Sequence, residues 1–264
     1  MTPTRLRPIL AISSTLFGSV LAAAQAPTAG QLKLVDLETP TMLASNQWDI
    51  RGDGRFFGGS DKLAYGTLEL NTGFGHGLGL ILRSSASRVA EYTTKGGDLR
   101  HGGEDYEAQL KYSPSEDPNF ALMAGVAEPN TPAHHSLFGT ATAVYEIPLS
   151  MINLYAGAKG AFGSNTDLVA LSGGFDHELG AGLRIVGDVD PVIAGENTYN
   201  TKHGNAQRVC LYGIAFRYSP LNQGSTPWSA DLGFTNALGG TTGFELSPGL
   251  GTAASVYVAA SIRF

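Results

Sequence analysis

Hydrophobic and polar residues alternate along most of this chain. Within residues 46–57, Trp48 and Ile50 occupy one parity, while Asp49 and Arg51 occupy the other. A helix would mix these two sets on every face, whereas an extended strand sends them to opposite sides. The pattern therefore predicts two-sided β-strands.

Twelve segments show this alternation. They are 46–57, 62–74, 77–86, 104–113, 118–127, 136–148, 151–161, 167–179, 182–190, 207–219, 226–236 and 252–264. An even number of strands is typical of single-chain bacterial barrels, because both chain ends then lie on the periplasmic side. We predict an all-β fold, a transmembrane antiparallel up-and-down β-barrel of 12 strands.

The links between the segments also alternate in length. Short links such as Gly75–His76 and Leu149–Ser150 follow even-numbered strands, and long links such as 87–103 and 191–206 follow odd-numbered ones. Short periplasmic turns opposite longer outer loops are the barrel pattern. Two links on the outer side, 58–61 and 162–166, are short and depart from it.

The last ten residues, SVYVAASIRF, have one apolar face, one polar face and a terminal Phe264. This strand resembles the C-terminal signal by which bacterial outer-membrane β-barrel proteins are recognised for insertion. The resemblance is to that porin-like superfamily. It implies two partners, the lipid bilayer of the outer membrane and the barrel-assembly machinery, with Phe264 as the assembly signal.

The first 26 residues have the features of a secretory signal peptide. Arg5 and Arg7 precede an uncharged run, and Ala24 and Ala26 offer small residues at the positions a signal peptidase reads. A transmembrane anchor is the alternative, but the run is short for a bilayer of about 30 Å. We expect a signal peptide at 1–26, a periplasmic lead-in or short plug at 27–45, and an outer-membrane barrel of a diderm bacterium at 46–264.

Composition narrows the class further. The chain of 264 residues has 35 Gly and a net charge of −6, which becomes −8 once the two signal arginines are removed. An acidic chain is a poor partner for nucleic acid. The lone Cys210 cannot form an internal disulfide.

Alternation does not show which face of each strand is exposed to water, so a soluble exported β-sandwich is an alternative interpretation. Aromatic residues at the predicted periplasmic ends of the strands favour the barrel, because they match an interfacial girdle. They are Trp48, Phe74, Tyr112, Phe120, Tyr145, Phe175, Tyr218, Trp228 and Phe264.

Eight bases and eleven acids have the parity that a barrel turns inward. The bases are Arg51, Arg55, Arg83, Lys111, Lys159, Arg184, Arg217 and Arg263; the acids are Asp49, Asp53, Glu69, Asp105, Glu107, Glu146, Asp176, Glu178, Asp188, Asp190 and Asp231. These residues either line a water-filled pore that slightly favours cations, or pair across strands and fill the interior. A barrel of about 12 strands has room for either arrangement.

Catalytic and metal-binding patterns are fragmentary. His134–His135–Ser136 has the His-x-Ser spacing of the outer-membrane phospholipase family, but Asn153, the nearest candidate to orient the histidine, is predicted at the opposite end of its strand. His101 and His203 show no recurring ligand spacing. We expect no enzyme activity, no cofactor and no metal.

These observations favour a narrow porin-like channel for ions or small polar solutes. A closed barrel that serves a structural or surface-interaction role is the alternative. Nothing in the sequence identifies a solute.

Overall fold

The structure is a computed structural model that describes residues 32–58, 63–89, 104–130, 137–163, 167–200, 205–221, 226–246 and 254–264. The predicted signal peptide lies outside these ranges. The same is true of His101, His203 and the His134–His135–Ser136 motif.

The described residues form fifteen strands and one short helix. The strands are β1 (Trp48–Phe57), β2 (Leu63–Gly75), β3 (Leu78–Val89), β4 (Glu104–Tyr112), β5 (Phe120–Asn130), β6 (Phe138–Pro148), β7 (Ile152–Phe162), β8 (Asp167–Gly180), β9 (Leu183–Asp190), β10 (Val192–Ala194), β11 (Thr198–Asn200), β12 (Asn205–Gln207), β13 (Leu211–Tyr218), β14 (Trp228–Thr235) and β15 (Ser255–Arg263); the helix is α1 (Thr242–Glu245). No described helix is long and apolar enough to cross a membrane.

Twelve of these strands close into one antiparallel barrel. Strands β1 to β9 pair in chain order, β9 pairs with β13, and β13, β14 and β15 lead back to β1. The closing register places Asp49 opposite Arg263. The predicted 12-stranded up-and-down barrel is therefore confirmed, and its single closed sheet excludes the β-sandwich.

The remaining three strands belong to the connection between β9 and β13, at one end of the barrel. β10 continues the pairing along β8, with a shift in register between Val192 and Ala194, and β11 and β12 form a separate hairpin. We call this end the loop end. The opposite end, which holds Trp48 and Phe264, is the terminal end.

Glycine-rich turns make two of the hairpins at the terminal end. Gly75, His76 and Gly77 have φ values of 84°, 54° and 73°. A Cβ on Gly77 would lie only 1.9 Å from the carbonyl oxygen of Ser113, so the turn also requires glycine for space. Strand β3 begins directly after Gly77, so these three residues form a tight hairpin turn between β2 and β3.

The two faces of the barrel differ sharply in chemistry. In β15 the exposed side chains include Val256, Val258 and Ile262, whereas Tyr257 and Arg263 are buried. Large apolar side chains on the other barrel strands are likewise exposed, including Leu68, Leu110, Phe216 and Leu232. The barrel is thus apolar outside and charged inside, the reverse of a water-soluble fold.

Candidate functional site

The charged residues predicted to line the lumen face the inside of the barrel. Buried are Asp49, Arg51, Arg55, Glu69, Arg83, Asp105, Glu107, Lys111, Lys159, Asp176, Asp188, Asp190, Arg217, Asp231 and Arg263. Asp53, Glu146 and Arg184 are partly buried, and Glu178 is exposed near the terminal end. Their contacts show that protein occupies the space between them.

One occupant is the segment of residues 32–43, which we call the plug. Its side chains Leu34, Val35 and Leu37 are at most 1% exposed, and its charged residues Lys33 and Asp36 are at most 2% exposed. The sequence predicts a periplasmic lead-in or short plug for this stretch. The structure places it inside the barrel, where its charges have partners.

Asp188 on β9 holds the tip of the plug. One carboxylate oxygen, Oδ2, accepts hydrogen bonds from the backbone N–H groups of Val35, Asp36 and Leu37, at 2.9, 2.7 and 3.0 Å. Consecutive N–H groups that converge on one anion form a strong electrostatic contact. Asp188 therefore fixes the turn of the plug against the wall.

Two glycines give the plug room on either side of Asp188. Gly174 on β8 and Gly213 on β13 both lie opposite Asp188 in the strand register. A Cβ on Gly174 would lie 2.4 Å from Leu34 Cδ1, and one on Gly213 would lie 2.5 Å from Val35 Cγ1. The wall is shaped to receive the apolar side chains of the plug.

Five basic residues of the wall contact oxygen atoms of the plug. Three of them donate hydrogen bonds to backbone carbonyl oxygens: Arg217 to Leu34 (3.1 Å), Lys159 to Asp36 (2.9 Å), and Lys111 to both Thr39 (2.7 Å) and Thr41 (2.8 Å). The other two form ion pairs with side-chain carboxylates, Arg55 with Asp36 (2.7 Å) and Arg83 with Glu38. The plug is thus held by charge-assisted contacts along its whole length.

A second occupant enters from the loop end. Residues 237–246, which we call the inward loop, connect β14 towards β15 and include α1. The backbone N–H of Thr242 donates to Glu107 (3.0 Å), and Leu246 packs in a buried cluster with Ala170 and Leu211. The carboxylate of Glu245 pairs with Lys33 of the plug and lies 3.3 Å from Lys159.

The charges around Glu245 change its acidity. Burial by itself raises the pKa of this carboxyl, but the positive charges of Lys159, Lys33 and Arg83 outweigh burial and lower the pKa below its ordinary value. Glu245 is therefore held ionised between the plug and the wall.

The wall also carries ion pairs of its own. Asp231 lies 2.8 Å from both Arg51 and Arg217, and Asp190 lies 2.9 Å from Lys159. Across the β8–β9 hairpin, Arg184 lies 2.6 Å from Asp176 and 3.8 Å from Glu178. Arg184 and Arg217 thus pair with acids on the neighbouring strand, as the second interpretation of the inward-facing charges expects.

Four residues at the centre of this network were not predicted. Lys33, Asp36 and Glu38 lie in the segment before the first alternating strand, and Glu245 lies in a link assigned to an outer loop. For the three plug residues, the one sequence signal is the mixture of charged and apolar residues in the run LKLVDLE.

No protein-family model and no curated protein matches this chain. Three solved structures with related architecture have low sequence identity. The KdgM porin is 9% identical, the match covers 83% of this chain and 98% of the porin, and the TM-score is 0.46. The COG4313 outer membrane channel from Pseudomonas putida F1 is 15% identical, with 90% of this chain and 99% of the channel covered and a TM-score of 0.49. OmpT, an outer membrane protein of Vibrio cholerae, is 12% identical, with 83% of this chain and 96% of OmpT covered and a TM-score of 0.37.

These three proteins are a porin, an outer membrane channel and an outer membrane protein. With TM-scores below 0.5 they add no argument about function. The barrel assignment rests on the strand pairing of the chain itself.

Proposed function

We propose that this chain is an outer-membrane β-barrel channel for ions or small polar solutes, closed in the described arrangement by the plug and the inward loop. The single observation that carries the proposal is the reversed polarity of the closed barrel, with apolar side chains outside and ionisable side chains inside. The proposal includes no catalytic step.

The outer surface fits a bilayer. The barrel strands have 8 to 14 residues, and about 9–11 tilted residues span a hydrocarbon core. At the terminal end, exposed aromatic rings include Trp48, Phe74 and Phe264, and Tyr218 packs edge-on against Trp228 with ring centroids 6.0 Å apart. Such rings belong at a membrane interface, here the periplasmic one. A cleaved signal peptide and recognition of the C-terminal strand by the assembly machinery complete the proposed route.

The inner surface fits a passage for polar solutes. Both occupants are anchored by ion pairs and hydrogen bonds as well as by buried apolar side chains of the plug and of Leu246. Water can take over the polar contacts when an occupant withdraws. When the plug withdraws, wall pairs such as Arg51–Asp231 stay on the wall. A polar bore then remains. Because acidic side chains outnumber basic ones along its length, it favours cations modestly.

A closed structural barrel is the second candidate. The observation that favours it is the extent of pairing inside the lumen, where Arg83 alone contacts Glu38, Glu69 and Glu107. Such a network can rigidify a barrel without any transport.

Flux through proteoliposomes separates the two candidates. Full-length protein is compared with the double variant Asp36→Asn/Glu38→Gln, in which the plug loses both carboxylates that pair with the wall. The channel proposal expects slow entry of small polar solutes with the wild type and faster entry with the variant. Equal leak-level flux with both proteins, each verified by heat-modifiable migration to be folded, contradicts it and leaves the structural barrel.

A further inference from the structure

The wall recognises the plug mainly through its peptide backbone. We call the wall residues that do so, Asp188, Arg55, Arg83, Lys111, Lys159 and Arg217, the plug seat. Asp188 accepts from three backbone N–H groups, and basic side chains donate to the carbonyl oxygens of four plug residues. Donors and acceptors are placed as a bound peptide requires.

The seat also recognises two carboxylates two residues apart. Asp36 pairs with Arg55 at 2.7 Å and accepts a hydrogen bond from the Thr235 hydroxyl at 2.8 Å, while Glu38 pairs with Arg83. Both plug acids are at most 4% exposed. Buried carboxylates with charged partners indicate a specific site rather than incidental filling.

The net charge of the plug seat is positive, whereas that of all the residues assigned to the lumen is negative. Five of its six residues are basic, whereas acids outnumber bases among all the residues assigned to the inner face. Its one acid, Asp188, repels a bare carboxylate but binds consecutive N–H groups. A peptide with acidic side chains satisfies Asp188 and the arginines together, as the plug shows.

We propose that the plug seat binds short acidic peptides whenever the plug leaves it, and that residues 32–43 act as a tethered competitor for this site. The substrate class of the opened barrel is then a peptide with two acidic side chains at positions i and i+2. Passage of such peptides rests on the proposed channel function, whereas their binding does not.

Binding is measured in detergent with the full-length Asp36→Asn/Glu38→Gln variant, because these substitutions weaken the hold of the seat on its own plug. Two fluorescently labelled peptides are titrated: LKLVDLETPTML, the sequence of the plug, and LKLVNLQTPTML, which lacks both carboxylates. We expect saturable fluorescence anisotropy with the acidic peptide and an affinity about tenfold or more lower for the amide peptide. Equal affinity for both peptides, or binding of neither, overturns the proposal.

Two further arms identify the recognised chemistry. Unlabelled acidic peptide should displace the labelled one, whereas succinate at the same concentration should not; displacement by succinate overturns peptide recognition. Adding Asp188→Asn to the double variant should weaken binding of the acidic peptide, while adding Asp49→Asn, at the β1–β15 seam, should not. Equal effects of the two substitutions contradict the assigned seat.

Flux separates this inference from the proposed function. If the acidic peptide binds but the double variant passes no solute, the binding site stands and the channel proposal fails. If solute passes but the acidic peptide neither binds nor blocks its passage, the channel proposal stands and the peptide site fails.

Discussion

Lys33 and Glu245 form a buried ion pair inside the barrel although 212 positions separate them in the chain. Lys33 belongs to the plug and Glu245 to the inward loop, so this pair joins the two segments that fill the lumen. Lys33 also lies 3.5 Å from Glu38 and 3.6 Å from Glu69. Removal of this ammonium group takes away the one cation among the described residues that contacts all three carboxylates, although Glu38 and Glu69 keep Arg83 and Glu245 keeps Lys159.

Replacing Lys33 by methionine should therefore destabilise the filled state. Breaking a buried ion pair from one side costs about 3–5 kcal/mol, because the remaining charge stays desolvated. We expect Lys33→Met to lower the temperature at which the folded, heat-modifiable form disappears on gels. Arg208→Met is the matched control, since Arg208 is exposed at the loop end; an equal effect of both substitutions would refute the role of Lys33.

Asp188→Asn should release the tip of the plug. A neutral amide oxygen accepts hydrogen bonds more weakly than a carboxylate, and it meets three N–H groups here. We expect amide hydrogen exchange at residues 35–37 to become about tenfold faster or more, which corresponds to about 1.4 kcal/mol. Asp49→Asn serves as the control at a site paired with Arg263. Unchanged protection at residues 35–37 would show that Asp188 does not hold the plug.

Acid should loosen the inward loop through Glu245. Because the folded pKa of Glu245 lies below its unfolded value of about 4.3, its stabilisation is complete above that pH and is lost as the pH falls through the folded pKa. We expect thermal stability to fall more between pH 6 and pH 3 in the wild type than in Glu245→Gln. Parallel loss in the two proteins would argue against this linkage.

Loss of the terminal ring should impair membrane insertion. Phe264 is 57% exposed at the terminal end, and its backbone N–H and carbonyl both pair with Trp48. Deleting Phe264 removes an apolar ring from the outer face of the barrel and also these seam contacts, so folded protein in outer-membrane fractions should decrease strongly. The Arg263→Lys variant keeps both the ring and the seam contacts, so this protein should insert nearly normally. Equal yields of the two variants would contradict the assembly role.

Much of the barrel could be predicted from period-two alternation, because each strand has one apolar face outside the barrel and one largely polar face inside. The parity of Val258 and Arg263 is enough to assign opposite faces, and the short Gly180–Ala181 link is enough to bring Arg184 near Asp176. The plug seat could not be predicted. It depends on the register of β8, β9 and β13, which places Gly174 and Gly213 beside Asp188, and on a plug segment that has no period of its own.

The central claim is that the plug closes a polar bore, and single-channel recording of Gly213→Ala tests it most directly. The added Cβ would lie within 2.6 Å of Val35 Cβ and so displaces the plug tip, whereas Gly173→Ala adds a Cβ with only an ordinary contact of 3.7 Å to Val189. In planar bilayers we expect rare openings from the wild type and Gly173→Ala, and frequent discrete openings from Gly213→Ala. Identical records from all three proteins would contradict closure by the plug.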